Sequence, residues 1–150
     1  MRKRLFKVET DFVHCGLRCV VLLMDAGHRC GYVGVSKDHN LYGQFYDNEE
    51  IECLSVHGGI TYAGGGEDSK YPVESDLWWF GYDCGHYMDI PDYEAALAAF
   101  DDTESQIRLT SLKQIKDLYP GNGVVRTLEY CIEQCKQLAE QLKENVSEHK

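Results

Sequence analysis

Hydrophobic positions change their rhythm along this chain. From Arg4 to Val8 apolar and polar residues alternate weakly, and Arg18 to Met24 is a short apolar run rich in Val and Leu. Both read as strands, the second bounded by Gly16 and by the turn Asp25-Ala26-Gly27. Gly31 to Val35 follows that turn at hairpin distance. Ile51 to His57 and Ile60 to Ala63 predict another strand pair, broken by Gly58-Gly59, and Leu77 to Tyr82 predicts an aromatic strand. The rhythm then turns helical. Asp92 to Phe100 predicts a short helix behind Pro91, and Thr110 is expected to cap a second, stopped by Pro120-Gly121. A last helix is expected from Val124 to Lys143, with Leu128, Cys131, Ile132, Cys135, Leu138 and Leu142 on one stripe. Ser36 to Glu50 and Ala63 to Ser75 read as long loops, which in a compact domain more often carry function than not. The expectation is a single α+β domain over residues 1–150: a curved antiparallel sheet of five or six strands, with the C-terminal helices packed on one face.

Composition narrows the function. The chain has 150 residues and a formal charge of −10, large enough for a core and acidic enough to argue against a duplex nucleic acid partner. Between Gln44 and Gln106 stand fifteen acidic residues and one basic residue, Lys70. That stretch supports one minor reading, an acidic inhibitor of another protein. No apolar run exceeds six residues, the length of Cys19 to Met24, which is too short to enter a membrane as a span. No apolar stretch follows the basic start, so no export signal is expected. Seven cysteines without such a signal point to free thiols and a cytoplasmic location. Their spacings include no C-x-x-C pair, so the expectation is no metal and no cofactor. Oligomeric state stays open, a homo-oligomer included.

Three segments concentrate chemistry-bearing residues: His28 to Val35, Val56 to Tyr62, and Trp78 to Asp89. His57-Gly58-Gly59 pairs a proton carrier with backbone that can approach a ligand closely, as well as suiting a plain turn. Asp83-Cys84-Gly85-His86 offers a thiol, a base and carboxylates, so His57, Cys84, Asp83 and His86 are the catalytic candidates for a hydrolase or transferase. No G-x-S-x-G accompanies the His-Gly-Gly run, and the zinc-deaminase signature is absent. Trp78, Trp79, Tyr82, Tyr32 and Tyr62 could stack a nucleobase, with glycine amides and Arg18 or Arg29 for phosphate. The ligand-binding set is therefore Arg29, Tyr32, His57, Gly58, Gly59, Thr61, Tyr62, Trp78, Trp79, Tyr82, Asp83, His86 and Asp89. These stretches are expected to converge on a common hollow.

Taken together, His28-Arg-Cys-Gly-Tyr-Val-Gly-Val35, Val56-His-Gly-Gly-Ile-Thr-Tyr62 and Trp78-Trp-Phe-Gly-Tyr-Asp-Cys-Gly-His86 resemble a family of small proteins. That family is widespread in bacteriophage genomes and prophages and has no assigned function. A C-terminal helix like Leu128 to Cys135 follows in it, and the likeness covers most of the chain. Gly85 and Tyr87-Met88 depart from the pattern, which has alanine and smaller residues there. The resemblance implies an anti-defence setting. There the expected activity is sequestration of a nucleotide-derived immune signal, such as a cyclic ADP-ribose isomer or a cyclic oligonucleotide, without cleavage.

Overall fold

In the computed structural model, residues 5–45 and 47–144 are described. The chain forms β1 (Phe6–His14), β2 (Leu17–Met24), β3 (Arg29–Val35), α1 (Glu49–Glu52), β4 (Tyr62–Gly65), β5 (Trp78–Asp83), β6 (Asp89–Ile90), α2 (Tyr93–Ala99), α3 (Thr103–Leu118), β7 (Val124–Val125) and α4 (Leu128–Glu144). Five strands make an antiparallel sheet in the order β1-β2-β3-β5-β4, and β6 and β7 pair in parallel beside it. This is the expected α+β architecture, with five strands and the C-terminal helix on one face.

The two faces of the sheet are covered differently. Cys19, Val21, Val33, Val35, Phe80 and Tyr82 meet Cys131, Cys135, Leu138 and Leu142 of α4. At the far end of that face Leu23 packs with Ala96, Phe100 and Leu109 from α2 and α3. On the other face Val20, Leu22, Met24, Cys30, Tyr32 and Trp79 are covered by Tyr62, Tyr71, Val73 and Leu77 rather than by a helix. A strand segment buried on both sides has no polar face to show, which is why Cys19 to Met24 of β2 is an unbroken apolar run. β1 lies at the sheet edge, and its charged and polar positions guard that edge.

Glycines let two tyrosines lie across the sheet. Gly31 stands opposite Tyr82 and Gly81 opposite Tyr32 in the β3–β5 register. A Cβ on Gly31 would sit 2.3 Å from the Tyr82 ring, and one on Gly81 would sit 2.5 Å from the Tyr32 ring. Each ring thus occupies the space a neighbouring side chain would need, one on either face. Tyr82 then donates its hydroxyl proton to the Cys131 carbonyl of α4 at 2.7 Å.

Several boundaries differ from the sequence expectation. Ile51 to His57 is not a strand. Asn48 accepts the Glu50 N–H at 2.8 Å and starts a single helical turn that buries Ile51. A short apolar run does not separate strand from buried helix, and the Asn cap with acidic residues behind it decides for helix here. β4 starts at Tyr62 and takes in glycines expected to be loop. α3 begins seven residues before Thr110, because Asp102 accepts the Ser105 N–H at 3.0 Å and is the cap. Val124 and Val125 pair with Asp89 and Ile90, so α4 starts at Leu128 instead.

Arg29 holds the end of this assembly. Its side chain is 5% exposed. Nε donates to Glu9 Oε1 at 2.6 Å, and Nη1 donates to Asp92 Oδ2 at 2.9 Å and to the Arg126 carbonyl at 3.0 Å. By contrast, among the described residues Arg18 pairs with Asp11 alone, at 2.6 Å, on the surface. Arg29→Met is expected to cost about 3 kcal/mol in urea unfolding, because it strands two partly buried carboxylates. Arg18→Met is expected to cost less than about 1 kcal/mol in the same measurement.

Candidate functional site

The sheet face without a helix carries a hollow of about 630 Å³. It lies where β2 and β5 end and β3 begins, bordered by Thr61, Tyr62, Gly85 and Pro91. Its walls include Tyr32, Thr61, Tyr62, Tyr82, Asp83, Cys84 and Asp89 from the expected set, together with Tyr71 and His28. Tyr32, Tyr62 and Tyr71 form an aromatic corner. The Tyr32 ring meets Tyr62 and Tyr71 edge-on at 5.4 Å each, and Tyr62 lies 5.6 Å from Tyr71. The hydroxyls of Tyr32 and Tyr71 hydrogen-bond to each other. Burial pushes the Tyr32 and Tyr62 hydroxyls above their ordinary pKa, so both stay protonated and neutral.

Asp83 supplies the accessible carboxylate. It accepts the Thr61 hydroxyl at 3.0 Å and the Gly85 N–H at 2.9 Å, and its Oδ1 lies 3.4 Å from His86 Nε2. A carboxylate offers roughly four lone-pair directions, so acceptor capacity remains toward the hollow.

Asp89 is the second carboxylate, and its side chain is only 1% exposed. Oδ2 accepts His57 Nε2 at 2.8 Å and the His86 N–H at 3.1 Å, while Oδ1 accepts Arg126 Nε at 2.9 Å. Burial acts to raise its pKa. The hydrogen bonds from His57, Arg126 and the His86 amide outweigh that and hold it below the usual carboxylate range.

His57 sits between this carboxylate and α4. Its Nδ1 lies 2.7 Å from the Tyr130 hydroxyl, and its N–H donates to Gln134 Oε1 at 2.8 Å. With Nε2–H facing Asp89, Nδ1 accepts from Tyr130, so both ring nitrogens are used. Gln141 clamps the same loop through the backbone N–H and C=O of Ser55, each at 2.7 Å. Gly58 has φ +69°, and a Cβ there would lie 2.4 Å from His86 Nε2. The paired glycines therefore serve the turn and let the His86 ring approach.

Cys84 is closed off as a nucleophile. It is buried, and its Sγ lies 3.7 Å from Cys131 Sγ. The contact with Cys131 and burial both push its thiol far above the ordinary value, the opposite of thiolate activation.

The expected convergence is only partial. The end of β5 and the His57 loop do meet, through Asp89 and through His86 on Gly58. The tryptophans lie at the other end of the strand. Trp79 is fully buried and donates Nε1–H to Ser75 Oγ at 3.0 Å. Trp78 points to the opposite face, donates to the Gln44 carbonyl at 2.8 Å and packs on Phe45 at 5.2 Å. Arg29 is committed to Glu9 and Asp92 and does not line the hollow; neither do His57, Gly58, Gly59 and His86. Tyr71, Tyr130, Gln134 and Arg126 were not in the expected set. Tyr71 sits in a polar loop, Arg126 stands just ahead of α4, and Tyr130 and Gln134 lie in the first two turns of that helix, whose apolar stripe draws attention first.

Acidification should loosen this network. The Asp89 carboxyl has a folded pKa below its unfolded value of 3.8, so it binds fewer protons folded than unfolded. Its contribution is complete above that value and is lost as pH falls through the lower folded value. Denaturant titrations from neutral to strongly acid pH should show a smaller loss in Asp89→Asn than in the native protein, because Asp11 and Asp102, also held below their ordinary range, still titrate in the variant. That variant is expected to start about 2 kcal/mol less stable at neutral pH.

In comparison with known proteins, the chain matches no family model, no curated protein and no solved structure.

Proposed function

We propose that the tyrosine-walled hollow binds a small planar ligand of the nucleobase or nucleoside class and holds it without turnover. The observation that carries this reading is the juxtaposition of Tyr32, Tyr62 and Tyr71 with the accepting oxygens of Asp83 around a space of about 630 Å³. Pockets for small organic ligands run from about 300 to 1,000 Å³, are largely apolar and place few polar groups. Rings supply stacking or edge contacts, and a carboxylate accepts from an exocyclic amine or ring N–H.

The electrostatics refine the ligand. Among the described residues that line the hollow there is no Lys or Arg, whereas there are two aspartates. Arg126 compensates Asp89, which leaves Asp83 as the charge a ligand meets. Such a site favours the donor-bearing end of a nucleotide and leaves any phosphate outside, toward solvent. Storage rather than cleavage draws support from the sealed Cys84 thiol and from the saturated His57 ring. In the bacteriophage setting that the resemblance implies, the biological ligand is a nucleotide-derived immune signal and the activity is its sequestration.

A thermal-shift panel of nucleobases, nucleosides, linear nucleotides, cyclic nucleotides and ADP-ribose derivatives tests the reading. A binder at one hundred times its Kd should stabilise the fold by about 2.7 kcal/mol. Tyr62→Ala and Asp83→Asn should each weaken that binding at least about tenfold, and the ligand should be recovered intact after denaturation. A panel without a single stabilising compound, or a binder indifferent to both substitutions, overturns it.

A further inference from the structure

We propose that His14, Cys15 and Glu140 form a site for a thiophilic divalent cation, with zinc as its natural occupant. His14 ends β1, Cys15 and Gly16 make the two-residue turn to β2, and Glu140 projects from α4. One ligating atom from each residue lies within 4.8 Å of the other two. The His14 and Glu140 atoms are already in contact, Nε2 to Oε2 at 2.8 Å. None of the three belongs to the tyrosine-walled hollow.

The donor set is one sulfur, one imidazole nitrogen and one carboxylate oxygen. That mixture suits zinc over calcium or magnesium, which take oxygen ligands. Zinc bonds of about 2.0–2.3 Å in a tetrahedron put ligand atoms about 3.3–3.8 Å apart. The His14–Glu140 pair must open slightly and the thiol must close in. Glu140 has room for this, with 59% of its side chain exposed. A water molecule would complete the shell.

The turn itself adds weight. Cys15 has φ +55° and Gly16 φ +77°. Two consecutive positive φ values in a two-residue hairpin loop favour Asn-Gly or Asp-Gly. Cysteine carries no such preference for the left-handed region, yet it stands where its thiol reaches His14 and Glu140.

Binding would proceed with protons balanced. The Cys15 thiol releases its proton to solvent, and the Nε2 proton of His14 moves to Nδ1 by exchange with water. Thiolate and carboxylate then neutralise the dication. The ion would tie the first hairpin to the last helix across 126 positions of sequence. Sequence spacing hides such a site, because two ligands are adjacent and the third is distant.

Cobalt(II) titration of the reduced full chain tests the proposal through the thiolate-to-cobalt charge-transfer band, with zinc as competitor. The native protein and Cys53→Ser, which removes the exposed thiol elsewhere, should show the band at one equivalent, with about one proton released per ion. Cys15→Asn should abolish it, and Glu140→Gln should weaken binding at least about tenfold. Zinc should raise the melting temperature of the native chain and leave that of Cys15→Asn unmoved. Asparagine suits the left-handed turn, so Cys15→Asn without metal should melt no lower than the native chain. No band in the native protein, or a band that survives in Cys15→Asn, overturns the proposal.

Discussion

A guanidinium that is 5% exposed must satisfy its donors inside the protein, and in this fold that requirement sets the geometry around the hollow. Arg29 is bound by Glu9 of the edge strand, Asp92 ahead of α2 and the Arg126 carbonyl ahead of α4. Those partners lie 20, 63 and 97 positions away in sequence. Asp92 is shared, because its other oxygen accepts the Ala95 N–H and caps α2. Fixing Asp92 and Arg126 fixes the two-stranded β6–β7 pair between them. Asp89 opens that pair, so its carboxylate arrives beside His57 with Arg126 already at hand. The charge network is thus one system. Arg29 positions the Arg126 backbone, and the Arg126 side chain compensates Asp89.

The sheet imposes the other constraint. Alternation along β5 sends Phe80 and Tyr82 toward α4, and Trp79 and Asp83 toward the helix-free face. The tryptophans and Asp83 therefore occupy opposite ends of one strand. Trp79 is covered by the loop that carries Ser75, and only the far end stays open. What remains at that end is tyrosine, from β3, β4 and the loop at Tyr71. The aromatic character inferred from sequence is present at the hollow, but it is phenolic and does not include the indoles.

Legibility in the sequence followed the range of the determining interaction. The hairpin from Leu17 to Val35, the aromatic strand and α2 were readable because apolar runs, turn residues and a local Asp cap specify them within a few positions. The single turn Glu49–Glu52 straddles an expected loop that ends at Glu50 and an expected strand that starts at Ile51, since Ile51 faces the core in either conformation. The Val124–Val125 strand had no local signature at all, because its pairing partner lies 35 positions earlier. The site divided in the same manner. Thr61, Tyr62, Asp83 and Asp89 were readable as polar and aromatic residues in glycine-rich segments. Tyr130, Gln134 and Arg126 were not, because their roles depend on where α4 lands.

Arg29 shows why residue type alone misleads. An arginine beside glycines and aromatics suggests a phosphate ligand, and its fork geometry suits one. A buried arginine, however, cannot wait unpaired for a ligand; its desolvation must be compensated in the free protein. Glu9 and Asp92 do that here, and a phosphate would have to displace both. The two aspartates at the hollow follow the same rule from the other side. Asp89, nearly inaccessible, is held by three donors, while Asp83 keeps 32% of its side chain exposed and has capacity to spare. For the ligand site proposed above, the group left to meet a ligand is the one whose desolvation the fold has left incomplete, which is Asp83 and not Asp89.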